Sequence, residues 1–189
     1  MNKAYDRMEW SFMEKILKRF GFHQKWIKLA MECIKSVTYK IKINGTLSKE
    51  IVPQRGLRLG DPLSPYLFII AFEVFTILMD NALNKKQISG IKLAPTAPTI
   101  THLLFADDCI IFSGAKEDEI YQLIQIINLY TSASGQVINL EKSGITFGNQ
   151  IPIQTRVNIE EILNIPSWDN PGKYLGLPAQ WERAKSKSL

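Results

Sequence analysis

Residues 100–112 constrain this chain most: an apolar run broken by ionisable groups only at His102 and at the adjacent pair Asp107-Asp108. Two neighbouring charges cannot continue through a buried helix or strand. The run therefore predicts two short strands folded back on each other, with the carboxylates at the turn. Ionised carboxylates side by side between apolar strands are costly, because burial and mutual repulsion both disfavour their charged forms. A divalent cation relieves that cost, and an all-oxygen hard site selects Mg²⁺ or Mn²⁺. An Asp-rich turn open to water is the other reading of the same residues, since Asp is common in turns.

Around this run the chain alternates helical and extended patterns. Ser11-Phe12-Met13-Glu14 has the form of a capping box. Trp10, Met13, Ile16, Leu17 and Phe20 follow at helical spacing up to Gly21. A second amphipathic stretch places Trp26, Ile27, Ala30, Met31 and Ile34 on one face and Lys25, Lys28 and Lys35 on the other. Val37, Tyr39, Ile41 and Ile43 alternate with polar residues, Asn44-Gly45 is a strong hairpin signal, and residues 47–52 form the return strand. Ser64-Pro65 reads as an N-cap followed by Pro at the first helical position. The helix from Pro65 to about Asn84 is apolar nearly all round, hence buried. Strands are expected at 88–93, 137–139, 145–147 and 173–177, and helices at 116–131 and 160–163. Asp6 and Arg7 read as a structural pair, and His23 and His102 carry no assigned role. Mixed helices and hairpins make the class α+β.

Composition narrows the function classes. With 189 residues, 46% hydrophobic and 22% charged, the chain is sized for one globular domain, which excludes disordered and collagen-like classes. Cys33 and Cys109 form no C-x-x-C pair, so no cysteine-based zinc site is expected and the usage suits a reducing compartment. Lys3, Asp6, Arg7, Glu9, Glu14, Lys15, Lys18 and Arg19 rule out a signal-peptide apolar region within the first twenty residues. The greasiest stretch, 66–79, contains Glu73 and is shorter than the ~18–20 residues of a membrane span. The expectation is an intracellular protein of cytoplasm or nucleus with no membrane partner. Its net charge of +5 conceals an asymmetry: a basic first third precedes an acidic middle, which suits either a polyanion beside a carboxylate site or two solvated faces.

Five segments occur in a fixed order: Lys3-Ala4-Tyr5-Asp6-Arg7; Arg55-Gly56-Leu57-Arg58-Leu59-Gly60-Asp61-Pro62-Leu63-Ser64-Pro65; Phe105-Ala106-Asp107-Asp108; Ser134-Gly135 through Asn139 to Lys142-Ser143; and Tyr174-Leu175-Gly176-Leu177-Pro178. Together they closely resemble the reverse transcriptase of LINE-type (non-long-terminal-repeat) retrotransposons, particularly plant elements, over essentially the whole chain. The resemblance implies a polymerase palm, a small antiparallel sheet backed by helices, with the start of the thumb and without the fingers. It implies a partial palm over 1–165 and a palm/thumb junction over 166–189.

The implied activity is RNA-templated transfer of deoxynucleoside monophosphates from dNTP to a DNA primer, with two Mg²⁺ (or Mn²⁺) ions ~3.5–4 Å apart. By the same resemblance Asp107 and Asp108 are metal ligands and catalytic. Lys142 is the lysine that protonates pyrophosphate, and Tyr5 is the aromatic gate beneath the nucleotide sugar. Gly60, Ser64 and Pro65 form the nucleotide contact at a helix N-terminus, and Tyr174, Leu175 and Gly176 form the primer grip. The family's third carboxylate falls three residues before Lys3, the position immediately ahead of Met1. Leu59 replaces the usual Gln, and Glu182 and Ala184 depart from a Gly-Arg-Ser-Lys segment. The expectation is therefore a truncated palm that is inactive as this chain. Its alternatives are an RNA or RNA–DNA binding module using Lys25, Lys28, Lys40 and Lys42, or a piece of a longer active polyprotein whose true start lies upstream. An unpaired sheet edge beside the hairpin predicts marginal stability.

Overall fold

The computed structural model describes residue 1, residues 3–168, and the backbone of 173–174 and 177–178. A single-turn helix α1 (Ala4–Arg7) leads into α2 (Trp10–Arg19) and α3 (Gln24–Lys35). In α2 the apolar residues recur every three or four positions, which buries Phe12, Met13, Ile16 and Leu17. The expected capping box does not form. Glu9 holds the N-cap position without a side-chain cap bond, while Glu14 turns to Lys18 (2.7 Å) and Lys35 (3.7 Å). Its carboxyl is held below its usual value by the hydrogen bond and charge of Lys18. In α3, Ile27, Ala30, Met31 and Ile34 face the core. Trp26 does not; it stacks on Phe22 at 4.7 Å on the surface. His23 supplies the α3 cap, its Nδ1 accepting from the Lys25 N–H at 3.3 Å.

Strands β1 (Lys42–Ile43) and β2 (Thr46–Leu47) pair antiparallel across Asn44-Gly45. Both turn residues have positive φ, 49° and 86°, as a two-residue hairpin turn requires. The pairing continues as Ser48 N–H to Ile41 O at 2.8 Å and resumes at Tyr39↔Ile51. One residue too many on the return strand makes a bulge at Lys49-Glu50. The ribbon is exposed on both faces, where alternation alone predicts one buried face.

Helix α4 (Ser64–Asn84) is the axis of the core. Leu67, Phe68, Ala71, Phe72, Phe75, Met79 and Ala82 are each at most 5% exposed, whereas Tyr66 and Ile69 lie on the surface. With 21 residues and a mean hydropathy of 1.7 over its most apolar window, α4 is long and apolar enough to cross a membrane by those criteria. This corrects the shorter span expected from residues 66–79. It packs on α2 and on α5 (Glu117–Ser134), and α5 packs in turn on α6 (Ile153–Leu163). Tyr130 of α5 meets Phe12, Phe72 and Phe75 edge-on.

Strands β3 (His102–Phe105) and β4 (Asp108–Ile111) form the expected hairpin, pairing Phe105 with Asp108 and His102 with Ile111. The turn residue Ala106 has φ of 49°, a strained conformation for a residue with a Cβ. His102, assigned no role from sequence, joins the hairpin to α4. One ring nitrogen lies 3.1 Å from Thr76 Oγ1, the other 2.9 Å from Thr101 Oγ1, and Phe75 packs edge-on. Burial pushes its pKa below the usual value, against the pull of Asp80 and Glu73. Of the other expected strands, 88–93 is reduced to the bridge Ile91↔Ile100 and 145–147 to the bridge Ile145↔Ser167. Residues 137–139 are not strand. The helix expected at 160–163 begins seven residues earlier, after Pro152. The final strand is instead a hairpin, β5 (Lys173–Tyr174) with β6 (Leu177–Pro178).

The carboxylate of Glu119 locks the start of α5. Only 7% exposed, its Oε2 accepts from Ser89 N (3.0 Å), Ser89 Oγ (2.8 Å), Ser113 Oγ (3.2 Å) and Gly114 N (3.1 Å). Burial alone raises its pKa, but these donors outweigh burial and hold it below the usual value. A group with a lowered folded pKa contributes stability above its unfolded value and loses it as pH falls through the folded one. Glu119→Gln is thus expected to destabilise the chain by about 1–3 kcal/mol at neutral pH. Denaturant midpoints should show that gap closing as pH drops below the ordinary carboxylate range; a constant gap contradicts the assignment. Ala106→Gly is expected to act in the opposite direction, raising stability by about 0.5–1 kcal/mol through relief of the turn strain. A lower midpoint for that variant counts against strain at residue 106.

Candidate active site

Residues 4–10 carry Tyr5 and are clamped from two sides. On one side Leu57 N–H donates to Tyr5 O (2.7 Å), Gly56 N–H to Met8 O (2.8 Å), and Trp10 Nε1–H to Gly56 O (2.7 Å). On the other side Gln136 Nε2 donates to Ala4 O at 2.8 Å and Glu9 N–H to Ser134 O at 3.0 Å. Two glycines permit the close approach. A Cβ at Gly56 would lie 2.9 Å from Asp6 O, and one at Gly135 would lie 2.5 Å from Arg7 O. Both have positive φ, 96° and 78°, a backbone that favours Gly. The sequence reading missed Gln136, which is 2% exposed. Nothing in its sequence context marks it, because its burial and its bond to Ala4 O come from a contact between distant segments. The expected Asp6–Arg7 pair is absent: Asp6 is exposed, and adjacent residues of a single helical turn diverge.

The clamp holds Tyr5 half-buried with its ring stacked on Phe68, centroids 4.8 Å apart and planes 13° from parallel. Phe68 lies in the second turn of α4, so Tyr5 adjoins the helix start that contains Ser64 and Pro65. That start differs from the expected one. Leu63 is the N-cap and Ser64 already helical, while Asp61 Oδ1 accepts from Leu63 N–H at 2.8 Å. Asp61 thus bonds the N–H of the N-cap residue, and no side chain caps the first turn itself. Ser64 is fully buried and its Oγ has no partner, so its hydroxyl faces the core. Pro65 is exposed. Gly60 is exposed too, with φ of 83° and open space around its Cα. Leu59 beside it is 71% exposed.

Asp107 and Asp108 sit at the tip of the β3–β4 hairpin, and both are exposed. Burial therefore adds nothing to their mutual repulsion, which corrects that half of the sequence argument. The Met1 amino nitrogen donates to Asp107 O at 2.7 Å, so the segment leading to Tyr5 starts against this tip. Cys109 follows the pair, and burial pushes its thiol up to about 12, which keeps it protonated at neutral pH. Adjacent exposed carboxylates suit a hard divalent cation that keeps part of its water shell. Among the described residues no group of three or more His, Cys, Asp or Glu side chains is placed to hold a metal. The described side chains do not make up a two-ion site.

Lys142 lies on a 3-10 turn (Leu140–Lys142), exposed and in no ion pair among the described residues. Leu175 and Gly176, and the side chain of Tyr174, lie outside the described residues; the backbone of β5 and β6 brackets them as an antiparallel pair. The structure thus places Tyr5 against the first turns of α4, and Met1 against the carboxylate tip. No described contact joins Gly60 or Lys142 to either.

Comparison with known proteins agrees with the resemblance in the motifs. Residues 1–179 match the family described as reverse transcriptase (RNA-dependent DNA polymerase). An uncharacterised mitochondrial protein of Arabidopsis thaliana is 50% identical over 66 residues, covering 35% of this chain and 54% of that protein. A 149 kDa protein of the Xenopus laevis transposon TX1 is 27% identical over 75% of this chain and 10% of its own length. The Pol polyprotein of a type-1 retrotransposable element R2 from Popillia japonica is 26% identical over 75% of this chain and 22% of its own. The chain thus spans about half the length of the first of these relatives and a quarter or less of the other two. The match runs from the Tyr5 segment through the carboxylate hairpin to the end of β6: the chain belongs to the reverse transcriptase family.

Proposed function

We propose that the chain is a palm portion of an RNA-directed DNA polymerase, followed by a palm/thumb junction from residue 166, that does not polymerise by itself. In the complete enzyme its role is RNA-templated addition of dNTP to a DNA primer, inside the cell. Asp107 and Asp108 hold a divalent ion, Tyr5 gates the nucleotide sugar, and the loop through Gly60 to Ser64-Pro65 borders the nucleotide. Lys142 serves pyrophosphate, and the Tyr174–Gly176 hairpin grips the primer. The observation that carries this reading is the carboxylate pair at the tip of a two-residue turn in a chain matched to the family over residues 1–179. Two further facts support it. Tyr5 stacks against the first turns of α4, and the Met1 nitrogen lies 2.7 Å from Asp107 O, so a carboxylate carried just ahead of Met1 would reach the pair. That the chain does not polymerise by itself is supported by the exposed Leu59, which cannot make the hydrogen bonds of a Gln.

Mn²⁺ titration followed by electron paramagnetic resonance tests the site without needing turnover. The chain is expected to bind Mn²⁺ weakly, and the double variant Asp107→Asn/Asp108→Asn not at all. A chain with one Asp added ahead of Met1 should bind about tenfold tighter or better, since affinity follows ligand charge count. Equal binding by all three sinks the metal assignment. Primer extension on an RNA template with Mg²⁺ is expected to yield no product from the chain as given, and incorporated dNTP would overturn that part of the reading.

A further inference from the structure

The basic surface outlined by the sequence separates into two parts. On α3, Lys28 approaches Glu32 at 4.0 Å and Lys35 approaches Glu14 at 3.7 Å, so part of that helix's charge is already compensated. On the β1–β2 ribbon no such compensation exists: Lys40, Lys42 and Lys49 are exposed, and none is in an ion pair among the described residues. Their placement follows from the register. Lys42 lies opposite Leu47 and Ile41 is bonded to Ser48, so Lys40, on the face that Lys42 and Leu47 share, meets the Lys49-Glu50 bulge of the return strand. The alternate face carries Tyr39, Ile41, Ile43 and Thr46.

Three lysines close together on a short ribbon repel one another, and this ribbon buries neither face to offset the repulsion. Glu50, in the bulge, makes no ion pair among the described residues. Along β1, Lys40 and Lys42 are separated by two residues, about 6.8 Å, an interval comparable to that of successive phosphates along a nucleic-acid strand. At the foot of the ribbon Tyr39, Arg55, Gly56 and Arg58 line a groove together with Asp6 and Trp10. Gly56 and Trp10 belong to the clamp around Tyr5, so the foot of the ribbon adjoins the candidate active site.

We propose that the Lys40–Lys42–Lys49 face of this hairpin grips the phosphate backbone of the RNA strand as it approaches the site. The inference rests on the reading of the chain as part of an RNA-directed polymerase, and adds the surface and the residues. The lysines neutralise successive phosphates, and the phosphates in turn relieve the repulsion among the lysines. Most of the affinity then comes from counterion release and falls steeply with salt.

Fluorescence anisotropy of a labelled single-stranded RNA, titrated with the full chain at several salt concentrations, tests the proposal. Lys40→Gln/Lys42→Gln/Lys49→Gln should weaken binding about tenfold or more at moderate salt and flatten the log–log salt slope by about 2, the value for three lost single-strand phosphate contacts. The charge-preserving Lys40→Arg/Lys42→Arg/Lys49→Arg should bind as the parent does. So should Lys85→Gln/Lys86→Gln/Lys92→Gln, which removes equal charge elsewhere. Circular dichroism checks that each variant is folded. Unchanged affinity and slope in the hairpin Gln variant overturn the grip, as does an equal loss in the Lys85/Lys86/Lys92 variant, which would reduce the effect to net charge. A parent chain that binds no RNA overturns it as well. Failure of the polymerase reading is seen separately, as equal Mn²⁺ binding by the carboxylate variants.

Discussion

The site depends on a clamp of three backbone–backbone hydrogen bonds and two from the side chains of Trp10 and Gln136. Five hydrogen bonds hold residues 4–10 between the Gly56-Leu57 loop and the Ser134–Gln136 turn. Backbone bonds of this kind need close approach, and Gly56 and Gly135 provide it where a Cβ would collide with Asp6 or Arg7. What the clamp holds is a single turn, α1, too short to be stable as a helix by its own bonds. Tyr5 therefore owes its position to segments 50 and 130 residues away rather than to its neighbours in sequence. Its ring completes the arrangement by stacking on Phe68, which ties the clamped turn to α4 and the core.

The core supports this in a directed way. α4 carries one apolar face into contact with α2 and α5, and the aromatic cluster of Phe12, Phe72, Phe75 and Tyr130 fills the space between them. His102 then couples β3 to α4 through Thr76. Glu119 couples the loop before β3 and the end of β4 to α5. The carboxylate hairpin is thus anchored at its base on two helices, while its tip projects into solvent. That division leaves Asp107 and Asp108 exposed to solvent, and it makes their orientation a property of the hairpin rather than of the core.

How much of this was legible depended on the range of the interaction involved. The Asn44-Gly45 turn, the hairpin around Asp107, and the α5 stop at Gly135 were readable because short-range backbone geometry decides them. The capping box at Ser11 was misleading: Glu14 found better partners in Lys18 and in Lys35 of the next helix. Ser64 looked like a cap, but Leu63 holds that position, and Asp61 bonds the Leu63 N–H just ahead of the helix. Gln136 and Glu119 were invisible in the sequence because their partners are main-chain and hydroxyl groups brought in from distant segments. The membership of the family was readable from the order of the motifs. The exposure of the carboxylates was one of two readings of the same residues, and what decided for it is that the flanking apolar residues belong to a ribbon only two strands wide.

The two-residue turn between Phe105 and Asp108 also acts as a ruler. Side chains on a strand alternate between faces, so register and facing are a single variable. With Ala106-Asp107 as the whole connection, the phase of Asp108 relative to His102 is set by counting alone. An insertion of one residue anywhere from 103 to 107 would leave composition and charge almost untouched. It would nonetheless point Asp108 to the opposite side of the ribbon or release His102 from Thr76. Along this segment substitutions have latitude that changes of length do not.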